Sequence, residues 1–134
     1  MQKLRKDETI PPSLQILRKI MDIRHQERIK IVQELYAQSF KPQSVSDKTA
    51  AITDKQIEIN ALIKKYAAKF PVDKIAKLDL AILQLGIYEL IFEKKEPPKV
   101  IINEAVELAK EFGSEKSYSF INAILGKIYN EKTV

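Results

Sequence analysis

Cysteine is absent from the 134-residue chain, which excludes disulfide staples, thiolate nucleophiles and zinc sites of the cysteine type. Glycine is scarce, at three residues. None lies in a GxxxxGK or GxGxxG pattern, so no phosphate-cradling loop is encoded. So few glycines also disfavour an all-β fold, which needs many tight turns. Histidine occurs once, at His25, in a charged stretch without a neighbouring Ser or Cys. General acid–base chemistry needs positioned partners, so His25 reads as a surface residue. No enzyme activity, catalytic residue, metal or cofactor is expected. The longest apolar stretch, residues 80–92, is interrupted by Gln84 and Glu89 and falls short of the roughly 20 residues a membrane span needs. The first residues are charged, with no apolar segment of signal-peptide type behind them. A cytoplasmic protein without membrane attachment is the expectation.

What the chain does contain suits helices. Hydrophobic residues make up 45% and charged residues 31%, and Ile, Leu, Ala, Lys and Glu dominate, so an all-α domain with a real core is predicted. The net charge of +5 is uneven. Residues 1–41 hold nine basic against five acidic side chains, and residues 81–134 hold seven against eight. The excess at the front suits a polyanionic partner, although a solvated lysine-rich surface accounts for it equally well.

Apolar spacing and capping residues divide the chain. Residues 1–12 read as a frayed terminus. Ser13 is placed as the cap of a short helix with Leu14, Leu17 and Met21 on one stripe. Asp22 offers a second cap, before a stretch with Ile29, Val32, Tyr36 and Phe40 at helical spacing. One bent helix or two fit this region. Asp47 is predicted to cap a helix running to Phe70, where Pro71 stops it. Asp79 is predicted to cap a helix over residues 80–93 that is apolar nearly all round and therefore central. Pro97 and Pro98 open a further helix, with Ile101, Ala105, Leu108 and Phe112 on one face and Gly113 as a left-handed stop. Asp73 and Asp79 are explained as helix starts. A last helix spans about residues 117–130. Residues 1–22 are read as an N-terminal extension with a short helix, and 23–134 as the domain proper.

A basic, aromatic-bearing helix near the N-terminus remains unexplained by packing alone. Arg24 and Arg28 stand four apart on one face, Lys30, Gln33 and Lys41 add polar donors, and Tyr36 and Phe40 could stack on bases. Tyr36 fits the core stripe as well. Glu104, Glu107 and Glu111 line one helix and read as a solvated acidic face.

The C-terminal half carries KLDLAILQLGIYELIF, PPKVIINEAVELAKEFG and SFINAILGKI, and the N-terminal half carries RHQERIKIVQELY. These segments resemble successive motifs of the NusB family, an arginine-rich opening followed by Q-x-L-Y among them. The resemblance implies an all-helical fold of two small bundles packed together. It implies an RNA-binding transcription antitermination factor that acts on the boxA segment of nascent RNA, in ribosomal RNA operons above all. The implied partners are single-stranded RNA, the small-subunit ribosomal protein NusE, other elongation factors and RNA polymerase. Carried over by position, Arg24 and Arg28 fall on the arginine motif, Gln33 and Tyr36 on Q-x-L-Y, and Ser117 and Phe120 near the start of the last helix, close to the family's RNA site. Capping and core packing explain the last two equally well.

The chain departs from the family pattern in several places. His25, Gln26 and Glu27 dilute the arginine cluster, Lys116 stands where an acidic residue is usual, and Gly126 stands where an aspartate is usual. The stretch between Phe40 and Ile57 is shorter by roughly one helix, and the helix over residues 14–21 is expected to fill the vacated space. Two alternatives accompany the antitermination reading. One is the NusB-like RNA-binding module of a ribosomal RNA methyltransferase, which would need a methyl-donor-binding domain beyond Val134. The other is a helical protein-interaction module without RNA binding.

Overall fold

A computed structural model describes residues 10–67 and 69–132, with only the backbone described at Lys132. The expected frayed terminus at residues 1–9 lies outside the described residues. The described residues are all-α: α1 (Pro12–Gln38), α2 (Asp47–Asp54), α3 (Gln56–Tyr66), α4 (Lys77–Ile87), α5 (Pro98–Phe112) and α6 (Ser117–Lys132). A single 3₁₀ turn, Val72–Lys74, precedes α4, and a π-helical turn, Tyr88–Glu93, extends it. α4 packs against α1 and α3 on one side and against α5 and α6 on the other, so two small bundles share one central helix.

The centre is built as the apolar run predicts. Ile82, Leu83, Leu85 and Ile87 are fully buried, and Ile59, Ile63, Ile101, Leu108, Ile121, Leu125 and Ile128 close around them. Gly86 lets α6 come near: a Cβ there would stand 3.0 Å from the Leu125 Cδ1. Gln84, the polar interruption, is buried and donates to the Asn60 side chain at 3.1 Å, tying α4 to α3.

Several boundaries differ from the sequence reading. α1 is one unbroken helix. Pro12 sits in its first turn, and the Pro11 carbonyl accepts from the Leu14 and Gln15 N–H groups. Ser13 and Asp22 therefore lie inside the helix and cap nothing, because proline's fixed φ already starts it. The helix expected from Asp47 to Phe70 starts after Ser46, bends at Lys55 and ends at Tyr66. Thr53 Oγ1 donates to the Thr49 carbonyl at 2.9 Å just before the bend, a back-bond that distorts helices. α4 begins two residues before Asp79, which is buried in its first turn. Gly113 is extended, with φ −91°, not left-handed. Its missing Cβ matters for space: one would lie 2.6 Å from Ser117 Cβ and 2.7 Å from the Ala109 carbonyl. The left-handed residue is instead Lys94, at φ 54°, closing the π turn with its N–H on the Glu89 carbonyl. Phe112, expected on the buried face of α5, is exposed.

The largest departure concerns the front of α1. Leu14, Leu17 and Met21 are exposed and fill no space in the body. The first buried side chain of the helix is Arg28. The loop leading into α2 is anchored to α1 through Glu34. Its carboxylate accepts from the Ser46 N–H at 2.6 Å and the Ser46 hydroxyl at 2.7 Å. Burial works to raise the Glu34 pKa, but these hydrogen bonds outweigh it and hold it below the usual value.

Candidate nucleic-acid interface

α1 carries two chemically different regions. The first is built around Arg28, whose side chain is only 6% exposed. Its Nε donates to both Glu89 carboxylate oxygens at 3.2 Å, one of its terminal nitrogens meets Glu96, and the other lies 3.8 Å from Glu104. The π turn brings Glu89 inward and also presents Glu93. Lys48 from α2 bridges the two at 3.1 and 3.3 Å. Burial works against the Lys48 charge, but Glu89 and Glu93 more than compensate and raise its pKa. Among the described residues every polar atom buried here has a partner.

His25 belongs to the same cluster. Its Nδ1 lies 2.8 Å from Glu104 and its Nε2 2.9 Å from Glu111. Partial burial disfavours the imidazolium, yet the two carboxylates outweigh this and raise the His25 pKa. The histidine read as a lone surface residue is thus a clasp between α1 and α5, and two of the three glutamates read as a solvated face are its partners. Glu107 remains at the surface, beside Lys110. Nothing in the sequence links residues 79 and 86 positions apart, except that an isolated His in a charged helix needs a partner somewhere.

Arg24 and Arg28, expected to act together on phosphates, are separated by burial. Arg24 is 56% exposed and touches Glu96 at 3.2 Å. Arg28 points inward into carboxylates. A cleft of about 530 Å³ runs between them, lined by Lys30, Lys48 and Lys95 as well as by Glu27, Glu89 and Glu93. It mixes both signs and selects neither.

The second region lies at the other end of α1. Gln33 is exposed, and Tyr36 is 41% exposed. The Tyr36 ring meets Phe40 edge-on, with centroids 5.0 Å apart. Lys77 Nζ stands 5.0 Å from the Phe40 ring centroid, within cation–π range. The residues just before Lys77, Ile75 and Ala76, wall a second cleft of about 420 Å³ with Phe70, Lys74, Lys116, Ser119 and Phe120. Phe70 and Phe120 pack edge-on at 5.4 Å. The start of α4 therefore joins an exposed pair, Tyr36 with Phe40, to a pair in which Phe70 is exposed and Phe120 is half-buried against the core. Lys74, Lys77 and Lys116 are exposed along it, and none of them makes an ion pair with a carboxylate among the described residues.

Of the six residues expected at an RNA site, Arg24, Gln33 and Tyr36 offer groups at the surface, and Phe120, half-buried, lines the second cleft. Arg28 and Ser117 do not. Ser117 is 2% exposed, and its Oγ accepts the Ser114 N–H at 2.9 Å, fixing the turn into α6. Sequence reasoning missed Phe70, Lys74 and Lys77. Phe70 was read as the end of the helix from Asp47, and the lysines were counted only in the charge total.

The model of the NusB family matches residues 13–130. A transcription antitermination protein NusB from Caldicellulosiruptor saccharolyticus is 36% identical over 115 residues, 86% of this chain and 82% of that one. The protein of the same name from Agathobacter rectalis is 44% identical over 85 residues, which cover 63% of this chain and 65% of the relative's length. With the Finegoldia magna protein the shared stretch spans about half of either chain, 56% and 55%. Among solved structures, NusB of T. maritima superposes with a TM-score of 0.72 at 29% identity, covering 81% of this chain and 91% of that one. A NusB crystallised with NusE and double-stranded RNA has the same fold, with a TM-score of 0.72 at 22% identity over 83% of this chain and 98% of that one.

Proposed function

The chain belongs to the NusB family, and from that premise we propose that it is an RNA-binding transcription antitermination factor. It acts on boxA-type single-stranded RNA together with a NusE-type ribosomal protein, within an elongation complex that includes RNA polymerase. The observation that carries this reading is the open face at the start of α4. Three exposed rings, Tyr36, Phe40 and Phe70, and the half-buried Phe120 are interleaved with Lys74, Lys77 and Lys116. Unpaired bases stack on aromatic rings and backbone phosphates follow the cations, the combination by which single strands are held. Arg24 and Gln33 extend the phosphate and base contacts along α1. Arg28 and Ser117 act as positioning residues, the first by fixing α1 against the π turn and the second by fixing the start of α6.

The acidic balance of residues 81–134 favours a basic protein there, with Glu107 at the surface to steer it. One observation favours the alternative of a protein-interaction module without RNA binding: the arginine end of α1 is neutralised by its own glutamates.

The test is the affinity of the purified chain for a boxA-like single-stranded RNA, with and without the NusE-type protein. Binding that weakens with salt and strengthens when the partner is added supports the proposal. Absence of RNA binding in both conditions, with partner binding retained, supports the interaction-module reading instead.

A further inference from the structure

The front of α1 has a surface that the RNA reading does not use. Leu14, Ile16, Leu17, Ile20, Met21 and Ile23 are each 42 to 63% exposed. At 3.6 residues per turn they occupy one half of the helix circumference, and Gln15, Arg18, Lys19 and Asp22 occupy the other. None of residues 11–24 is buried. The segment therefore stands off the body for about 18 Å as an amphipathic helix with nothing on its apolar side among the described residues.

The order of these residues is its own mirror. Reversing the helix about the point between Arg18 and Lys19 exchanges Leu14 with Ile23, Ile16 with Met21 and Leu17 with Ile20. The apolar set maps onto itself without a mismatch. The same reversal exchanges Gln15 with Asp22 and Arg18 with Lys19, so every charged residue between Leu14 and Ile23 stays on the outer side. We infer that this face pairs with the same face of a second copy of the chain, antiparallel and about a two-fold axis. A two-fold interface demands a patch that matches itself on reversal, and a different partner would impose no such condition.

Size and charge agree with that occupant. Half of six large side chains is on the order of 500 Å² per copy, so a pair buries about 1,000 Å², the lower edge for a specific interface. Like charges do not meet across it, because Arg18 and Lys19 face away. The antiparallel order sets the two bodies at opposite ends of the paired segment. It also brings the second copy only as far as Arg24, about 18 Å along the helix from Tyr36, so the aromatic face stays free in each copy. The association is weak, micromolar or above, as a minimal interface implies.

Sedimentation velocity on the full chain across the micromolar range tests the inference. The wild type is expected to shift from the mass of one chain to that of two as concentration rises. The double variant L17E, I20E places two charges in the middle of the contact and is expected to raise the dissociation constant at least about 100-fold. Both residues are exposed, so its melting temperature should match that of the isolated wild-type chain, which separates lost pairing from lost folding. Three outcomes overturn the inference. The first is a wild type that stays monomeric throughout the range. The second is a dimer that the double variant leaves intact. The third is a monomeric wild type that pairs only once residues 1–9 are removed, which would assign the face to the chain's own N-terminal segment.

Discussion

Arg28 and Tyr36 stand about two turns apart on α1, and their surroundings could hardly differ more. Around Arg28 the basic side chains of Arg24, His25, Arg28 and Lys48 meet five carboxylates, those of Glu89, Glu93, Glu96, Glu104 and Glu111. The charges there satisfy one another. Around Tyr36 and the start of α4, Lys74, Lys77 and Lys116 make no ion pair among the described residues, although Asp79 lines the same cleft as Lys74 and Lys116, and Tyr36, Phe40 and Phe70 are exposed. A guanidinium spent on internal carboxylates holds helices together, whereas one left in water can meet a phosphate. The arginine-bearing end of α1 is therefore chiefly a joint between α1, α2, α5 and the π turn, whereas the aromatic end leaves its rings and lysines exposed.

The sharpest way to break this contrast is to remove Arg28. Replacing it by Ala leaves Glu89 with Lys48 alone and Glu96 with Arg24 alone, both carboxylates being shielded from water. Breaking one partner out of a buried ionic network costs about 3–5 kcal/mol. Thermal or urea unfolding should show that loss, while the fraction that remains folded binds RNA as the wild type does. Reduced affinity in a fully folded Arg28→Ala protein would move the arginine end into the binding surface.

A comparable but purely apolar loss is expected from the core. Leu83 and Leu85 both point inward in α4, so Leu83→Ala or Leu85→Ala should each cost about 2–5 kcal/mol in unfolding experiments. Either variant calibrates how much of the Arg28 effect is ordinary destabilisation.

Smaller effects separate Arg24 from Arg28. Arg24 is more than half exposed, so Arg24→Ala should leave the melting temperature within a degree or two. If it meets a phosphate, the log–log salt slope of single-strand binding flattens by about 0.7. The His25 clasp predicts a pH signature at the joint alone. Its pKa is raised in the folded chain, so its stabilisation is complete below the unfolded value, about 6.5, and fades as pH rises through the folded value. Wild type should lose more stability than His25→Gln between mildly acidic and mildly alkaline pH. Melting curves that run parallel for the two proteins would mean the clasp contributes nothing.

The contrast also marks where reading the sequence stops working. The central helix was legible because Ile82, Leu83, Leu85 and Ile87 form an apolar run no other element matches. The start at Pro97 and Pro98 was legible because proline acts locally, whereas the helix expected to run up to Pro71 already ends at Tyr66. Arg24 and Arg28 could not be told apart, since their difference is made by Glu89 and Glu96, which lie more than 60 residues away. The same holds for His25 and its two glutamates. The bend at Lys55, which follows the Thr53 back-bond, and the π turn leave no mark in apolar spacing. Leu14, Leu17 and Met21 gave the opposite error: correct helical spacing, but no body behind it to bury them.

In the proposed mode the aromatic face is the main RNA-holding surface, and of the arginine joint only the exposed Arg24 reaches a phosphate. The most direct test of this mode is the affinity of the Tyr36→Ala, Phe40→Ala double variant for a boxA-like single-stranded RNA, measured across a salt series on protein shown to be folded. Both rings are well exposed, so the variant should melt close to the wild type. Each lost stacking contact is worth about 1–3 kcal/mol, so affinity should fall at least tenfold while the salt slope stays unchanged. An affinity equal to that of the wild type at every salt concentration would contradict the claim.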